Sequence, residues 1–406
     1  MRIIFFAGKG GVGKTSIAAA TAVRASRMGL RTVVLSLDVA HSLSDIFDLD
    51  KRLLDLNKGV PVAVAENLWI QELDIQEEIA KNWGDIHRYI SALLNTSGLD
   101  AILAEELAIL PGMEEVSLLL YINRYVRQES FDVILLDCAP TGESLRFISI
   151  PTTLEWYIKK IFKVERTIAK YVRPVAQRLY DVPLPGDDYF QAIEHLFERL
   201  QGVDEILANK ETTTVRLVTN PEKIVLKETQ RAFMYFSLYR MNIDAVIMNR
   251  VLPQGVKDPF FEDWKETQKR CMAEAESAFA PVPVFPVHLH GDEILGVERL
   301  RTLADQVYGE RDPLERFYDG EPYSFSKDNG RYELSFRLPF AVREDVELNR
   351  VDDELVVRLG SQKRRFLLPR QVAASKHIRA KVEGERLRVF FEDGPHASLD
   401  PAGAGK

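Results

Sequence analysis

Nine residues near the amino terminus have the types and spacing that phosphate chemistry needs. Gly8-Lys9-Gly10-Gly11-Val12-Gly13-Lys14-Thr15-Ser16 follows an apolar run from Ile3 to Ala7 and opens an Ala-rich helical pattern that reaches Met28. Glycine tolerates the left-handed and strained conformations that let a backbone wrap a phosphate with its N–H groups turned inward. A lysine at the position of Lys14 supplies a point charge to the β- and γ-phosphates, and a hydroxyl at Thr15 suits Mg²⁺. The helix that follows adds the positive end of its dipole. An ordinary glycine turn would not require this context of strand before and helix after.

The loop carries a second lysine, Lys9. One reading is a solvated loop charge. The other is a cation that reaches the nucleotide of a second subunit and offsets charge built up during phosphoryl transfer. Two carboxylates also follow apolar runs. Asp38 comes after Thr-Val-Val-Leu-Ser-Leu, and Asp137 after Val-Ile-Leu-Leu. At a strand's carboxyl end beside a phosphate loop, Asp38 can orient an attacking water and Asp137 can hold Mg²⁺ through water. An acidic residue in such a place is also a common helix cap or turn former.

The elements that must position these groups follow from the apolar pattern. Unbroken apolar strands are expected at Ile3 to Ala7, Arg31 to Leu37, Phe131 to Leu136, Thr214 to Thr219, Ala245 to Met248 and Val282 to Pro286. Helical patterns separate them, so the fold class is α/β: a mostly parallel central sheet covered on both faces, with helical insertions. The stretch from 74 to 130 reads as helical, with interruptions at Gly98 and Pro111-Gly112. So does 152–202, broken by prolines. A helix from about Pro221 to Arg240 and one closing near Tyr308 complete the unit.

From Tyr323 the period changes to two. Tyr332 to Leu338, Asp345 to Leu348, Glu354 to Leu359 and Leu387 to Phe391 alternate polar and apolar, with turns at Asp352-Asp353 and Glu383-Gly384-Glu385. Short alternating runs predict a small antiparallel β unit. The domain expectation is an ATPase domain over 1–315, a β domain over 323–392 and a disordered tail over 393–406.

Composition narrows the function classes. The 406-residue chain has a net charge of −8, which lends no support to a general nucleic-acid binder. No run approaches the roughly 18 apolar residues that span a bilayer, so membrane contact is expected to be peripheral at most. Two scattered cysteines, Cys138 and Cys271, fit neither a disulfide framework nor a metal spacing, which points to a reducing, cytoplasmic setting.

Several segments together resemble one family, the arsenite-pump ATPase (ArsA) and the guided-entry ATPase that carries tail-anchored membrane proteins. They are the glycine loop, Leu37-Asp38-Val-Ala-His41-Ser-Leu-Ser-Asp45, Asp137-Cys-Ala-Pro-Thr-Gly142-Glu-Ser-Leu-Arg146, Met248-Asn249-Arg250, and Phe285 to Gly296. The resemblance covers about residues 1–310. It implies a P-loop NTPase fold, ATP and Mg²⁺, and a homodimer that closes on ATP over an apolar groove for client segments. It makes Asp38 the catalytic carboxylate, Asp137 the magnesium partner, Asn249 the adenine-reading side chain, Pro286, Val287 and His288 part of a loop packed on the base, and Glu222 an acidic residue near the nucleotide. The groove helices would come from about 84–125 and 150–200, the second including Leu154, Trp156, Tyr157, Ile158, Ile161 and Phe162, which read equally as core.

The chain also departs from that pattern. Val39 stands where the family usually has Pro, Ser42 where it has Asn, and Glu143 where targeting members have His. Asp258 to Trp264 passes without the Cys-x-x-Cys zinc pair of the yeast and animal enzymes, so no zinc is expected. A cysteine trio for metalloid is also missing, which disfavours the alternative of a metalloid-pump subunit. Tyr332 to Pro339, Asp353 to Gly360, Arg364 to Pro369 and Gly384 to Phe391 resemble the α-crystallin domain of small heat-shock proteins.

Overall fold

The central strands of the first unit are where runs of Ile, Val, Leu and Phe put them, and the computed structural model shows why they tolerate little polar alternation. It describes residues 1–36, 42–49, 59–96, 100–109, 112–138, 147, 150, 162, 185–320, 323–328, 331–338, 340, 345–351, 354–360, 362–368, 372, 375 and 377–392. The chain divides into two compact units, Met1–Gly320 and Glu321–Lys406.

In the first unit, β1 (Arg2–Ala7) leads through the glycine loop into α1 (Lys14–Arg27). Next come β2 (Thr32–Ser36), the short α2 (Ser42–Ile46), and a hairpin of β3 (Val62–Ala65) and β4 (Leu68–Glu72). A helical block follows. Its first helix, α3 (Ile75–Glu78), runs through a π-helical turn (Ile79–Trp83) into α4 (Gly84–Thr96), and α5 (Ala101–Leu107) and α6 (Met113–Arg127) come after. The chain returns through β5 (Val133–Asp137), α7 (Asp187–Leu200), α8 (Val203–Ala208), β6 (Thr213–Thr219), α9 (Lys223–Leu238), β7 (Ile243–Val251), α10 (Glu262–Phe279), β8 (Val284–His288) and α11 (Gly296–Tyr308).

The sheet order is β3-β4-β2-β5-β1-β6-β7-β8, and every pairing is parallel except β3 with β4. Both faces are covered, so β1, β2, β5 and β6 are buried almost throughout. Ile4, Phe6, Val34, Leu135 and Val218 face α1 and α11, whose contacts include Ile17, Ala18, Leu300 and Tyr308. The alanines of α1 let that helix lie close to the sheet. On the other face Phe5 meets Phe147, ring centroids 6.0 Å apart.

One element went unread and one expectation needs correction. The hairpin β3–β4 escaped sequence reading because its Val-Ala-Val-Ala strand is short and half exposed. β8 starts two residues later than expected and runs through His288, so Pro286, Val287 and His288 belong to a strand rather than a loop. The stretch from 74 to 130 is helical as expected, in four helices with a π turn after the first, and α6 begins directly after Gly112. Leu154, Trp156, Tyr157, Ile158 and Ile161 lie outside the described residues, as do Glu143 and the tail. Phe162 is buried against Phe190 at 5.6 Å. Among the described residues no helix is long and apolar enough to cross a membrane.

Near the beginnings of β1, β6 and β7 the unit buries a charge cluster. Arg216 Nε donates to Asp244 Oδ1 at 3.2 Å, with both side chains fully buried. Arg216 Nη1 also donates to Tyr308 OH and to Pro313 O, and Nη2 to Glu315 O. Arg2 Nε donates to Leu314 O, and Asn242 Nδ2 to Tyr318 O. The segment after α11 is thereby pinned across the sheet, with Arg216 over the Phe317 ring at 4.8 Å. Burial pushes the Arg2 pKa down to about 10, against the pull of Asp244.

The second unit is all β: β9 (Tyr323–Asp328), β10 (Arg331–Arg337), β11 (Val346–Val351), β12 (Glu354–Leu359), β13 (Gln362–Leu367), β14 (His377–Glu383) and β15 (Arg386–Glu392). Antiparallel sheets β14-β15-β10-β9 and β11-β12-β13 bury Leu334, Phe336, Leu355, Val357, Val389 and Phe391 between them. Phe336 meets Phe366 at 4.8 Å from one sheet to the other. Alternation along β10, β12 and β15 made these strands readable. Strand β14 alternates as well, through Ile378, Ala380 and Val382, but went unread, and β9 carries only Tyr323 and Phe325 as apolar residues.

Candidate active site

The glycine loop sits at the carboxyl end of β1, in the middle of the sheet, where parallel α/β folds open a crevice. Two of its glycines are sterically required. A Cβ on Gly8 would lie 2.2 Å from Val218 O. Gly13 has φ +94, and a Cβ there would lie 2.4 Å from Asn249 Nδ2. Gly11 is also left-handed, at φ +80. Gly10 and Gly11 are exposed, while Val12 is buried beneath the loop. Gly13 caps α1, and its carbonyl accepts the first helical bond from Ile17 N. The first-turn residues Lys14, Thr15 and Ser16 therefore stand at the positive end of a 14-residue helix.

The loop's cations rest on protein groups. Lys14 is 8% exposed, and its Nζ donates to Lys9 O at 3.2 Å. Lys9 is half-buried, and its Nζ lies 3.9 Å from Glu228 Oε2 of α9. Thr15 Oγ1 donates to Asp137 Oδ2 at 2.7 Å. Asp137 is the last residue of β5 and is buried between β1 and β2. A threonine hydroxyl and a buried carboxylate brought together below a glycine cradle are oxygen donors of the kind Mg²⁺ takes, so the residues present fit a magnesium nucleotide.

Two asparagines brace the loop from beneath. Asn249 Nδ2 donates to Val12 O at 2.8 Å, and its Oδ1 accepts from Arg250 N. Asn220, with its amide nitrogen turned to the loop, reaches the same Val12 carbonyl at 3.3 Å. Asn249 is thus engaged with the loop and would exchange these partners to read a base. Val287 is fully buried in the core, while Pro286 and His288 alternate to the exposed side. Glu222 caps α9 through its backbone, its carbonyl accepting from Leu226 N, and its side chain is exposed. His290 Nε2 lies 2.8 Å from Gln306 Oε1, a local surface contact.

The structure brings together Lys9, Lys14, Thr15, Asp137 and Asn249. Asp38 lies outside the described residues, but Ser36, two residues before it, pairs with Asp137 in the sheet register. Sequence reasoning missed Asn220 and Glu228 near the loop, and Glu72 at the end of β4. Asn220 sits in the same Thr-Asn-Pro-Glu stretch as Glu222 and was within reach of that signal. Glu228 and Glu72 had none, since only the packing of α9 brings Glu228 to Lys9, and only the unread hairpin brings Glu72 to α2.

Similarity to known proteins agrees with this geometry. Residues 1–309 match the anion-transporting ATPase family, and residues 329–391 match an HSP20-like domain found in ArsA. A protein of Aquifex aeolicus that bears the name arsenical pump-driving ATPase 1 is 50% identical over 96% of this chain and 100% of its own length. A similarly named protein of Chlorobaculum tepidum is 39% identical over 97% of this chain and 96% of its own. ATPase get3 of Aspergillus niger is 27% identical over 78% of this chain and 92% of its own.

Proposed function

The chain belongs to the anion-transporting ATPase (ArsA) family, and on that premise we propose a magnesium-dependent ATPase that works as a homodimer and couples its nucleotide cycle to apolar protein segments. The observation that carries the catalytic part is the contact of Thr15 Oγ1 with Asp137 Oδ2 under a loop whose Gly8 and Gly13 admit no side chain. Backbone N–H groups of Gly10 to Thr15 hold the phosphates. Lys14 leaves Lys9 O to meet the β- and γ-phosphates. Thr15, and Asp137 through water, would hold Mg²⁺, which would supply charge to offset that of the phosphates. Asp38 orients the attacking water and accepts its proton.

Lys9 supports the dimer. It sits at the exposed rim of the loop, tied to Glu228 only at 3.9 Å, and such a pair at this exposure is worth little. It can exchange Glu228 for a phosphate of the facing subunit. The helical block from α3 to α6, together with α7, offers the clients a surface, and its exposed Leu103 and Leu107 belong there. The names of the similar bacterial proteins favour a second reading, an ATPase that drives arsenical export. The thiols here are Cys138 after β5 and Cys271 in α10, both buried and in separate elements.

The test is Asp38→Asn. Nucleotide binding persists while turnover falls by about 10²-fold or more. Unchanged turnover removes Asp38 from the reaction. Mixing Lys9→Ala with Asp38→Asn subunits changes activity if lysines act across an interface, and activity of a strict monomer at high dilution overturns the dimer. Mass spectrometry of proteins held by the Asp38→Asn variant names the clients. Stimulation of turnover by arsenite, with no apolar segment captured, favours the second reading.

A further inference from the structure

Glu72 ends β4, and its backbone pairs with Ser36, the last residue of β2. Its side chain is 6% exposed. Oε1 accepts from Leu43 N at 2.9 Å and from Ser44 N at 3.2 Å, both in the first turn of α2. Ser36 and Leu43 bracket the stretch that carries Asp38. One residue therefore grips the chain on both sides of Asp38, by its backbone before it and by its carboxylate after it. The same row of the sheet continues from Ser36 to Asp137 and on to Phe6, so the grip is in register with the magnesium partner.

The other connections of β4 lead into the helical block. Gln71, beside Glu72, accepts from Tyr125 OH of α6 at 2.7 Å through Oε1 and donates to Gly59 O through Nε2. Asp74, two residues on, accepts from Gln76 N and Glu77 N and so caps α3. Glu78 at the end of α3 is fully buried and accepts from Tyr121 OH at 2.7 Å. The end of β4 is thus fastened to α3 and α6 on one side and to α2 on the other. A five-residue helix does not need a buried carboxylate from another strand for its own stability, since Ser, Asn or Asp at the cap serves locally. A carboxylate taken out of water is costly unless it is hydrogen-bonded, and here those bonds fix the start of α2 against the end of β4.

We propose that Glu72 is a positioning residue for hydrolysis, which sets the Asp38 segment relative to Asp137 and carries displacement of the helical block to it. This rests on Asp38 acting on the water, as proposed above. Glu72 stands on β4, separated from β1 and its glycine loop by β2 and β5, so its effect appears in turnover and not in binding.

The test uses the full chain and two conservative variants. Glu72→Gln keeps the accepting oxygen, and turnover stays within about threefold, the loss reflecting the weaker neutral hydrogen bond. Glu72→Asp keeps the charge but withdraws the carboxylate by one methylene, and turnover falls by about 10- to 100-fold, as misplacement on the ångström scale does. In both, the KM for ATP and the affinity for a non-hydrolysable analogue stay at the parent value. Single-turnover hydrolysis of Glu72→Asp/Asp38→Asn equals that of Asp38→Asn alone, because the two act through one group. Parent-like turnover in Glu72→Asp overturns the inference, as does an equal loss of turnover and nucleotide affinity, or a further loss on top of Asp38→Asn. If Asp38→Asn itself turns over normally, the reading of Asp38 fails. If it is inactive and Glu72→Asp is not impaired, only the role of Glu72 fails.

Discussion

The sheet of the first unit carries charged groups at two places, and they are treated in opposite ways. Near the strand beginnings, Arg216 and Asp244 are fully buried, and the Arg216 guanidinium contacts include Asp244, Tyr308, Pro313 O and Glu315 O. At the carboxyl ends, Lys14 leans on a loop carbonyl, Lys9 meets Glu228 at 3.9 Å, and Asn249 holds Val12 O. The first arrangement satisfies its charges within the protein, so it can only be damaged. The second uses contacts that a polyphosphate can replace. Removing a buried charge partner strands the other in low dielectric, whereas exchanging a weak, half-exposed contact for a ligand costs little.

The largest effect expected from breaking this contrast is at Arg216. Arg216→Met leaves Asp244 buried without its main cation and destabilises the first unit by about 3–5 kcal/mol. Nucleotide affinity of the folded protein is unchanged. Urea unfolding together with analogue binding checks both parts. A chain ending at Gly309 removes the Pro313 and Glu315 carbonyls and lowers the unfolding midpoint in the same direction, whereas one ending at Gly320 keeps them and hydrolyses ATP. Equal stability of these two chains would show that the pinned segment adds nothing.

Lys14→Ala is the counterpart at the other place. Loss of a charge-assisted contact weakens nucleotide binding by about 2–3 kcal/mol, while the ligand-free protein loses about 1 kcal/mol or less. Thermal unfolding with and without ATP separates the two quantities. A large drop without ligand would mean that Lys14 is as structural as Arg216.

Gly13→Ala lies between these cases. Its φ of +94 and the nearby Asn249 amide strain any side chain, so about 1–2 kcal/mol of stability is lost. Nucleotide binding weakens with it, because the loop and Asn249 move together. Adding Asn249→Ala relieves the contact and returns part of the loss, which a double-mutant cycle reads directly.

The smallest effect concerns a third kind of charge pair. In the second unit Arg388 Nε donates to Glu333 Oε1 at 2.6 Å, on a partly exposed sheet surface. That hydrogen bond holds the Glu333 carboxyl below its ordinary value of 4.5. A depressed folded pKa means the stabilisation is complete above 4.5 and is lost as pH falls through the folded value. Solvent screening limits it to less than about 1 kcal/mol. The pH dependence of unfolding of the second unit should flatten slightly in Glu333→Gln, and an undiminished acid dependence would place the effect elsewhere.

Local chemistry was enough to read much of this protein. The glycine loop, its two lysines and the strands β1, β2, β5 and β6 are legible because parallel strands buried on both faces need continuous apolar runs, and phosphate loops need glycine at fixed spacing. β10, β12 and β15 are legible because one face of each is buried and the period is two. Asn249 was legible only as part of a resemblance, and its bond to Val12 O appears only where β7 passes under the loop. The hairpin β3–β4, the placement of Val287 in the core and the partners of Glu72, Glu228, Arg216 and Asp244 lay beyond the sequence. Each depends on elements dozens of residues apart meeting in one sheet, and a carboxylate or guanidinium carries no local mark of what will bury it. The sequence by itself determined the loop, the sheet's strands and the class of chemistry. Tertiary packing alone decided which charges are locked and which can be exchanged, because that depends on burial and on partners brought from other strands.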